Sequence, residues 1–389
     1  MTALSMLAAS SLVVWLYLLF GRNGFWRARP RIEAEQPPAP PAWPAVVAIV
    51  PARNEAAHVG DALRSLLAQD YPGELAVVLV DDHSADATGV IARRLAAGHR
   101  RRLEVVSAPP LPRGWSGKLW AIAEGLRHAA RNWPKAAYLL LTDADIAHHP
   151  GNLARLVAKA EVERLDLTSL MVRLRCESSW ERLLIPPFVF FFQKLYPFAA
   201  VNAPDQATAA AAGGCMLVRR RALVEAGGIE AIRARMIDDI ALARAIKGRP
   251  GGGRIWLGLT ETTTSLRRYD HLAEIWAMVA RSADTQLRHS LPRLAGTVLG
   301  MGITYLIPPL GLCAGIIQGD PLLAALGLAA WSAMALAYWP TANLYRLGAP
   351  GLTTLPLAAA LYVAMTLDSA IQYRRGAGGR WKDRVFSPR

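Results

Sequence analysis

Three pairs of carboxylates stand close together in this chain: Asp81-Asp82, Asp143-Ala144-Asp145 and Asp238-Asp239. Asp143 and Asp145 are two residues apart, so at the end of a strand both side chains fall on one side. Oxygen ligands of that kind suit Mg²⁺ or Mn²⁺ bridging to a diphosphate. Taken alone the spacing carries little weight, because aspartates after strands commonly cap helices or fill turns. Asp81-Asp82 runs on into His83-Ser84 and Asp86-Ala87-Thr88, where Asp86 or Ser84 could simply cap a helix starting near Ala87. Asp82 is also placed to accept a hydrogen bond from a nucleobase N–H. Asp238-Asp239 precedes Ile240, Leu242 and Ile246, the spacing of a helix that begins there. Aspartate in a first helical turn is favoured by the macrodipole; the functional alternative is a general base for an incoming hydroxyl. Upstream, Ala209–Cys215 (AAAAGGC) is a string of tiny residues. It lets backbone approach a substrate closely, or serves a tight strand–helix crossing.

The elements that must hold these residues follow from short apolar runs. Val46–Val50, Leu75–Val80, Leu103–Val106 and Tyr138–Leu141 are continuous enough for buried parallel strands. Helical spacing falls between them, at Leu63, Leu66 and Leu67, over Ala87–Ala97 and around Leu119–Ala130. The pattern β-α-β-α-β-α-β predicts an α/β domain. Ligands of such sheets sit beyond the carboxyl ends of the strands. Those ends carry Arg53-Asn54-Glu55, Asp81-Asp82 and Asp143-Ala144-Asp145, which predicts one polar crevice.

The whole chain has 389 residues, 53% hydrophobic and 19% charged, with 44 Lys+Arg against 30 Asp+Glu and a net charge of +14. That excludes disorder as the dominant state. Three scattered cysteines (Cys176, Cys215, Cys313) exclude a disulfide scaffold and offer no zinc spacing. No nucleic-acid-binding motif accompanies the positive charge. The apolar excess sits at the ends. Residues 1–21 carry no charge and reach about 30 Å as a helix, enough to span a bilayer core. Arg22, Arg27, Arg29 and Arg31 follow this run, which favours an uncleaved anchor and a cytoplasmic location for what comes next. A basic, Pro-rich linker over 22–44 then leads into a soluble domain over 45–290. The uncharged runs 321–342 and 347–367 read as transmembrane helices, the second continued to 371. A third, 294–318, holds Pro308-Pro309 at its middle. With basic flanks before Leu294 and in the tail 372–389, an even number of crossings is required. This predicts a re-entrant or interfacial hairpin over 294–318. The aromatic stretch 183–201 (LLIPPFVFFFQKLYPFAAV) is either a buried core helix or an interfacial segment dipping into the headgroup region.

Six motifs in order, PARNE (51–55), VDDHSADAT (80–88), GWSGKLWAIAEG (114–125), TDADI (142–146), GGCMLVRR (213–220) and IDDIALA (237–243), resemble those of family 2 glycosyltransferases. LLIPPFVFFFQKLYPF, the GWSGK block and Gly379-Arg380-Trp381-Lys382 are similar to the hopanoid-biosynthesis-associated membrane members. The resemblance covers about 45–285 and implies a GT-A fold with a mostly parallel sheet. It implies that Ala52, Arg53 and Glu55 line the nucleotide pocket, that Asp82 contacts the base, and that Lys118 approaches the donor. Asp143 and Asp145 would belong to the D-x-D element, with Asp145 the more direct metal ligand. Asp239 matches the catalytic base, and Asp238 stands where the family usually has Glu. The Q-x-x-R-W element of processive synthases is absent, which argues for single sugar transfer; Arg281 lies near its position, with a possible role at the diphosphate. The implied reaction is inverting transfer from a nucleotide-sugar donor, as a UDP-sugar, to a hydroxyl of a membrane lipid such as a hopanoid. The implied location is the bacterial inner membrane, multi-pass, with the catalytic domain facing the cytoplasm. Other acceptors (carotenoid, diacylglycerol, polyprenyl phosphate) and a non-catalytic membrane protein of the same fold are the competing readings.

Overall fold

The computed structural model describes residues 2–98, 102–376, 380–381 and 384–385. Half of the basic tail expected over 372–389 lies outside them, as does part of the motif 379–382. The chain divides into two compact units. One comprises Met1–Ala28, Cys176–Ala199 and Tyr269–Gly379; the other comprises Arg29–Arg175, Ala200–Arg268 and Arg380–Arg389. The domain expected as one block over 45–290 is therefore interrupted. The helices Ser179–Leu195 and Leu272–Ala280 belong to the apolar unit, because Leu184, Ile275 and Val279 pack with Ala358, Tyr362 and Met365.

The polar unit is built on a sheet. β1 (Val46–Ala52), β2 (Leu75–Asp81), β3 (Arg102–Ser107) and β4 (Tyr138–Thr142) form where the apolar runs predict, parallel to one another. β1 is buried at every position, so it shows no polar alternation. Helices Val59–Leu67, Thr88–Gly98 and Gly117–Asn132 connect them. The sheet then continues through β5 (Ile146–Ala147), β6 (Leu167–Arg173), β7 (Cys215–Arg219) and β8 (Ile255–Ser265), in the order β3-β2-β1-β4-β7-β6-β8-β5. β7 runs antiparallel to β4 and β6, and β5 antiparallel to β8, so the sheet is mixed. The pairing of Thr142 with Cys215 has a consequence for the site, since it lays Gly213-Gly214 beside Asp143.

The Pro-rich linker is docked instead of free. Leu259 N–H donates to Pro30 O at 2.9 Å, and Arg31 forms an isolated bridge to Leu259 on β8. Glu33 Oε1 accepts from Thr260 Oγ1 at 2.5 Å, from the Glu261 N–H at 2.9 Å and from Thr262 Oγ1 at 2.9 Å. Lys159 Nζ donates to Glu35 Oε2 at 2.9 Å.

In the apolar unit four helices among the described residues are long and apolar enough to cross a membrane: Ala3–Phe20, Leu291–Gln318, Pro321–Leu344 and Leu355–Arg374. The hairpin expected over 294–318 does not form. The chain stays helical from Leu291 to Gln318, with a π turn over Gly302–Leu306 just before Pro308-Pro309. Prolines withdraw donors from carbonyls one turn back. Here the carbonyl of Thr304 receives Trp15 Nε1 at 2.7 Å and Ser11 Oγ at 3.4 Å, so the N-terminal helix supplies what the prolines remove. The run expected over 347–371 becomes helical in earnest only at Leu355, after a short turn over Gly348–Gly351, because Gly348 (φ +70°) and Pro350 hold its start apart. The stretch 183–201 is largely the helix Ser179–Leu195, opened by a Ser178/Glu181 capping box. Its aromatics pack on other helices: Phe190 against Phe25 and Tyr338, Phe191 against Tyr305 and Tyr362.

Candidate active site

The loops after β1 and β2 are knitted together by backbone N–H groups. Asn54 donates to Ser84 Oγ at 3.0 Å, Glu55 to Thr88 Oγ1 at 2.8 Å and Ala56 to Asp86 Oδ2 at 3.0 Å. Ala85 returns a bond to Asn54 Oδ1 at 2.8 Å. Asp86 Oδ1 also accepts the Thr88 N–H at 3.0 Å, so Asp86 and Ser84 serve the turn. Asn54 (φ +52°) and His83 (φ +53°) both adopt the left-handed region, a strain kept where the two loops interlock. Ala52 is buried and its carbonyl accepts the Asp82 N–H at 2.9 Å. Asp82 is fully buried, and Arg53 Nη1 donates to its carbonyl at 2.6 Å while standing 3.9 Å from its Oδ2.

Lys118 lies in the first turn of the helix Gly117–Asn132, which Ser116 caps by accepting the Leu119 N–H. The macrodipole disfavours a cation there. Two carboxylates compensate: Lys118 Nζ is 2.8 Å from Asp143 Oδ1 and 3.2 Å from Asp238 Oδ2. Burial alone would lower the ammonium's pKa, but the charges of Asp143 and Asp238 hold it well above the ordinary value. Asp239 lies one residue on, at the start of the helix Asp238–Lys247. Its Oδ2 accepts the Gly213 N–H at 3.0 Å and its Oδ1 the Ile240 N–H at 2.7 Å. Burial and the neighbouring Asp238 charge push Asp239 up to about 7, against the lowering by Lys118 and the two N–H donors. Asp143 is raised by burial and by Asp145, with Lys118 opposing. The tiny-residue stretch is what permits this approach, since a Cβ on Gly213 would stand 3.3 Å from Lys118 Nζ and 3.5 Å from Asp239 Oδ2.

Two residues of the site were not foreseen. Arg267, just past β8, donates from Nε to Asp145 Oδ2 at 2.8 Å and from Nη2 to Glu55 Oε1 and Oε2 at 2.6 and 2.9 Å. It joins the loops after β1 and β4. His148 is buried behind the D-x-D turn, with Nε2 2.9 Å from Thr142 Oγ1 and Nδ1 3.1 Å from Asn152 Nδ2. Burial lowers its pKa to about 4, so it is neutral at physiological pH. Thr142 Oγ1 in turn donates to Gly214 O at 2.7 Å, tying β4 to the glycine pair. Arg281, the other candidate for the diphosphate, lies in the apolar unit, at the C-cap of Leu272–Ala280.

Asp143 and Asp145 are hard oxygen donors, each with a basic side chain on one carboxylate oxygen. Among the described residues no group of three or more His, Cys, Asp or Glu side chains is placed to hold a metal. Two carboxylates fit a Mg²⁺-like ion that completes its shell with phosphate oxygens and water.

Residues 47–227 match the model of glycosyl transferase family 2. It is 28% identical over 191 residues to an N-acetylglucosaminyltransferase of Mesorhizobium japonicum, covering 48% of this chain and 42% of that protein. It is 33% identical over 103 residues to the 4,4'-diaponeurosporenoate glycosyltransferase of Staphylococcus aureus, covering 26% and 24%. The chain thus spans less than half the length of these curated relatives. A mannosyltransferase of Pyrobaculum calidifontis, solved with GDP-Man and Mn²⁺, superposes with a TM-score of 0.53 at 21% identity, covering 97% of this chain and all of that one. The fold is GT-A, with the mixed sheet described above.

Proposed function

We propose that this protein is an inverting glycosyltransferase that moves a hexose from a nucleoside-diphosphate donor, such as a UDP-sugar, to a hydroxyl of a membrane lipid. The observation that carries this reading is Lys118 spanning Asp143 and Asp238, because it brings the D-x-D turn and the neighbour of Asp239 to one ammonium. In this reading Ala52, Arg53, Glu55 and Asp82 form the nucleotide side of the crevice. Lys118 takes charge from the diphosphate as it leaves. Asp239, poised near neutrality and aimed by two N–H groups, accepts the acceptor's proton while its oxygen attacks the anomeric carbon from the opposite face. One displacement inverts that centre and needs no covalent enzyme intermediate. Asp145 and Asp143 would hold a Mg²⁺ or Mn²⁺, whose contribution is neutralisation of the diphosphate.

The lipid acceptor is supported by the four long apolar helices of the same chain. The basic residues Arg22, Arg27 and Arg29 after the first of them support a bacterial inner membrane protein whose sheet domain faces the cytoplasm. Among lipids, a hopanoid is the acceptor that the motif resemblance favours. Mass spectrometry of lipids from membranes supplied with individual nucleotide sugars tests the proposal. A product one hexose heavier than a membrane lipid, dependent on the protein, is expected; no glycolipid with any donor would overturn it.

A further inference from the structure

We propose that Arg267 is an internal counter-cation of the donor site and that it sets an order of binding: the divalent cation enters with the nucleoside diphosphate, not ahead of it. This rests on the donor-site reading above. Both D-x-D carboxylates already carry a cation of the protein, Lys118 on Asp143 Oδ1 at 2.8 Å and Arg267 on Asp145 Oδ2 at 2.8 Å. Arg267 is held at its other edge by both oxygens of Glu55. The Asp145 and Glu55 side chains are only 12% and 10% exposed, whereas the Arg267 side chain is 30% exposed, so the guanidinium closes the pair from the open side.

A metal ion arriving alone must share Asp145 with a guanidinium, and like charges at that distance repel. Nor do the described residues offer three acidic or imidazole ligands to compensate. A diphosphate changes the balance. It brings oxygens for the metal, and it offers the guanidinium a bidentate anionic partner in exchange for Asp145. The exchange needs little backbone movement, because the neighbouring Leu266 N–H is fixed to Asp145 O at 2.7 Å and the arm alone has to turn. Arg267 is thus a positioning residue that couples the two ligands, and by linkage each tightens the other.

The test is Mn²⁺ uptake by the full chain in detergent, read from the free-ion electron paramagnetic resonance signal with and without UDP. In the wild type UDP should tighten Mn²⁺ by about tenfold or more. In Arg267→Gln, Mn²⁺ alone should bind several-fold tighter than in the wild type, and the UDP effect should fall below roughly threefold. Arg267→Lys keeps the charge without the fork, so it should retain weak binding of Mn²⁺ alone and lose most of the coupling. Wild-type coupling in both variants, or in the lysine variant should the glutamine one not fold, would overturn the assignment. Failure of the donor-site reading looks different: wild type and Asp145→Asn would then take up Mn²⁺ alike in the presence of UDP, and the proposed order would fall with it.

Discussion

Gly213 donates its backbone N–H to Asp239 Oδ2 at 3.0 Å, and the absence of a side chain there leaves room for Lys118 Nζ. A glycine at the turn into β7 thereby serves two charged groups that lie on different helices. Gly213→Ala would put a methyl group 3.3 Å from the ammonium and 3.5 Å from the carboxylate. Transfer should drop by roughly threefold to tenfold, because the ammonium has to give way by only a few tenths of an ångström, short of the full 1 Å displacement that costs about 10²-fold. The thermal midpoint should change little, which a melting curve on the same preparation checks.

The pH profile of transfer should carry the signature of Asp239. With its pKa pushed up to about 7, the base is protonated below that value, so kcat/KM should fall as pH drops through about 7. Asp238 raises this pKa and Lys118 lowers it. Asp238→Asn should therefore move the acid limb to lower pH and Lys118→Met to higher pH, with reduced activity in both. Limbs that move together would show that some other group titrates.

His148 makes a prediction about stability. Its folded-state pKa of about 4 lies below the ordinary value of 6.5, so the unfolded chain binds the extra proton between those values. Stability should be full above about pH 6.5 and decline as pH falls toward 4, by a few kcal/mol in all. His148→Gln should flatten that slope in denaturant titrations.

Much of the candidate site's polar clustering was legible because β1, β2 and β4 are short apolar runs that end abruptly in Arg53-Asn54-Glu55, Asp81-Asp82 and Asp143-Ala144-Asp145. Spacing alone gave Lys118 no meaning; the motif around it did, and its two carboxylate partners are visible only in space. Arg267 was missed because its partners Glu55 and Asp145 lie 212 and 122 residues away in sequence, and Arg267-Arg268 reads as an ordinary basic pair. The antiparallel strand β7 was hidden by the tiny residues before it, which suit several structures. The prolines at 308 and 309 misled for a related reason. The group that satisfies Thr304 O sits on Trp15, 289 residues earlier.

That compensation predicts that Trp15→Phe costs about 1 kcal/mol, since it leaves the Thr304 carbonyl with only the longer Ser11 bond while keeping an aromatic ring against Tyr305. Thermal unfolding in detergent measures it. In a Pro308→Ala background, where the backbone donor returns, the cost should shrink.

The account turns on Asp239 as the group that takes the acceptor's proton in a site that binds the donor without it. Transfer and donor binding measured side by side for wild type and Asp239→Asn test this most directly. The prediction is a loss of transfer by about 10²-fold to 10⁴-fold, the usual range for a general base, with UDP-sugar affinity within about threefold of wild type, a difference of less than 1 kcal/mol. Transfer at the wild-type rate by Asp239→Asn would contradict it.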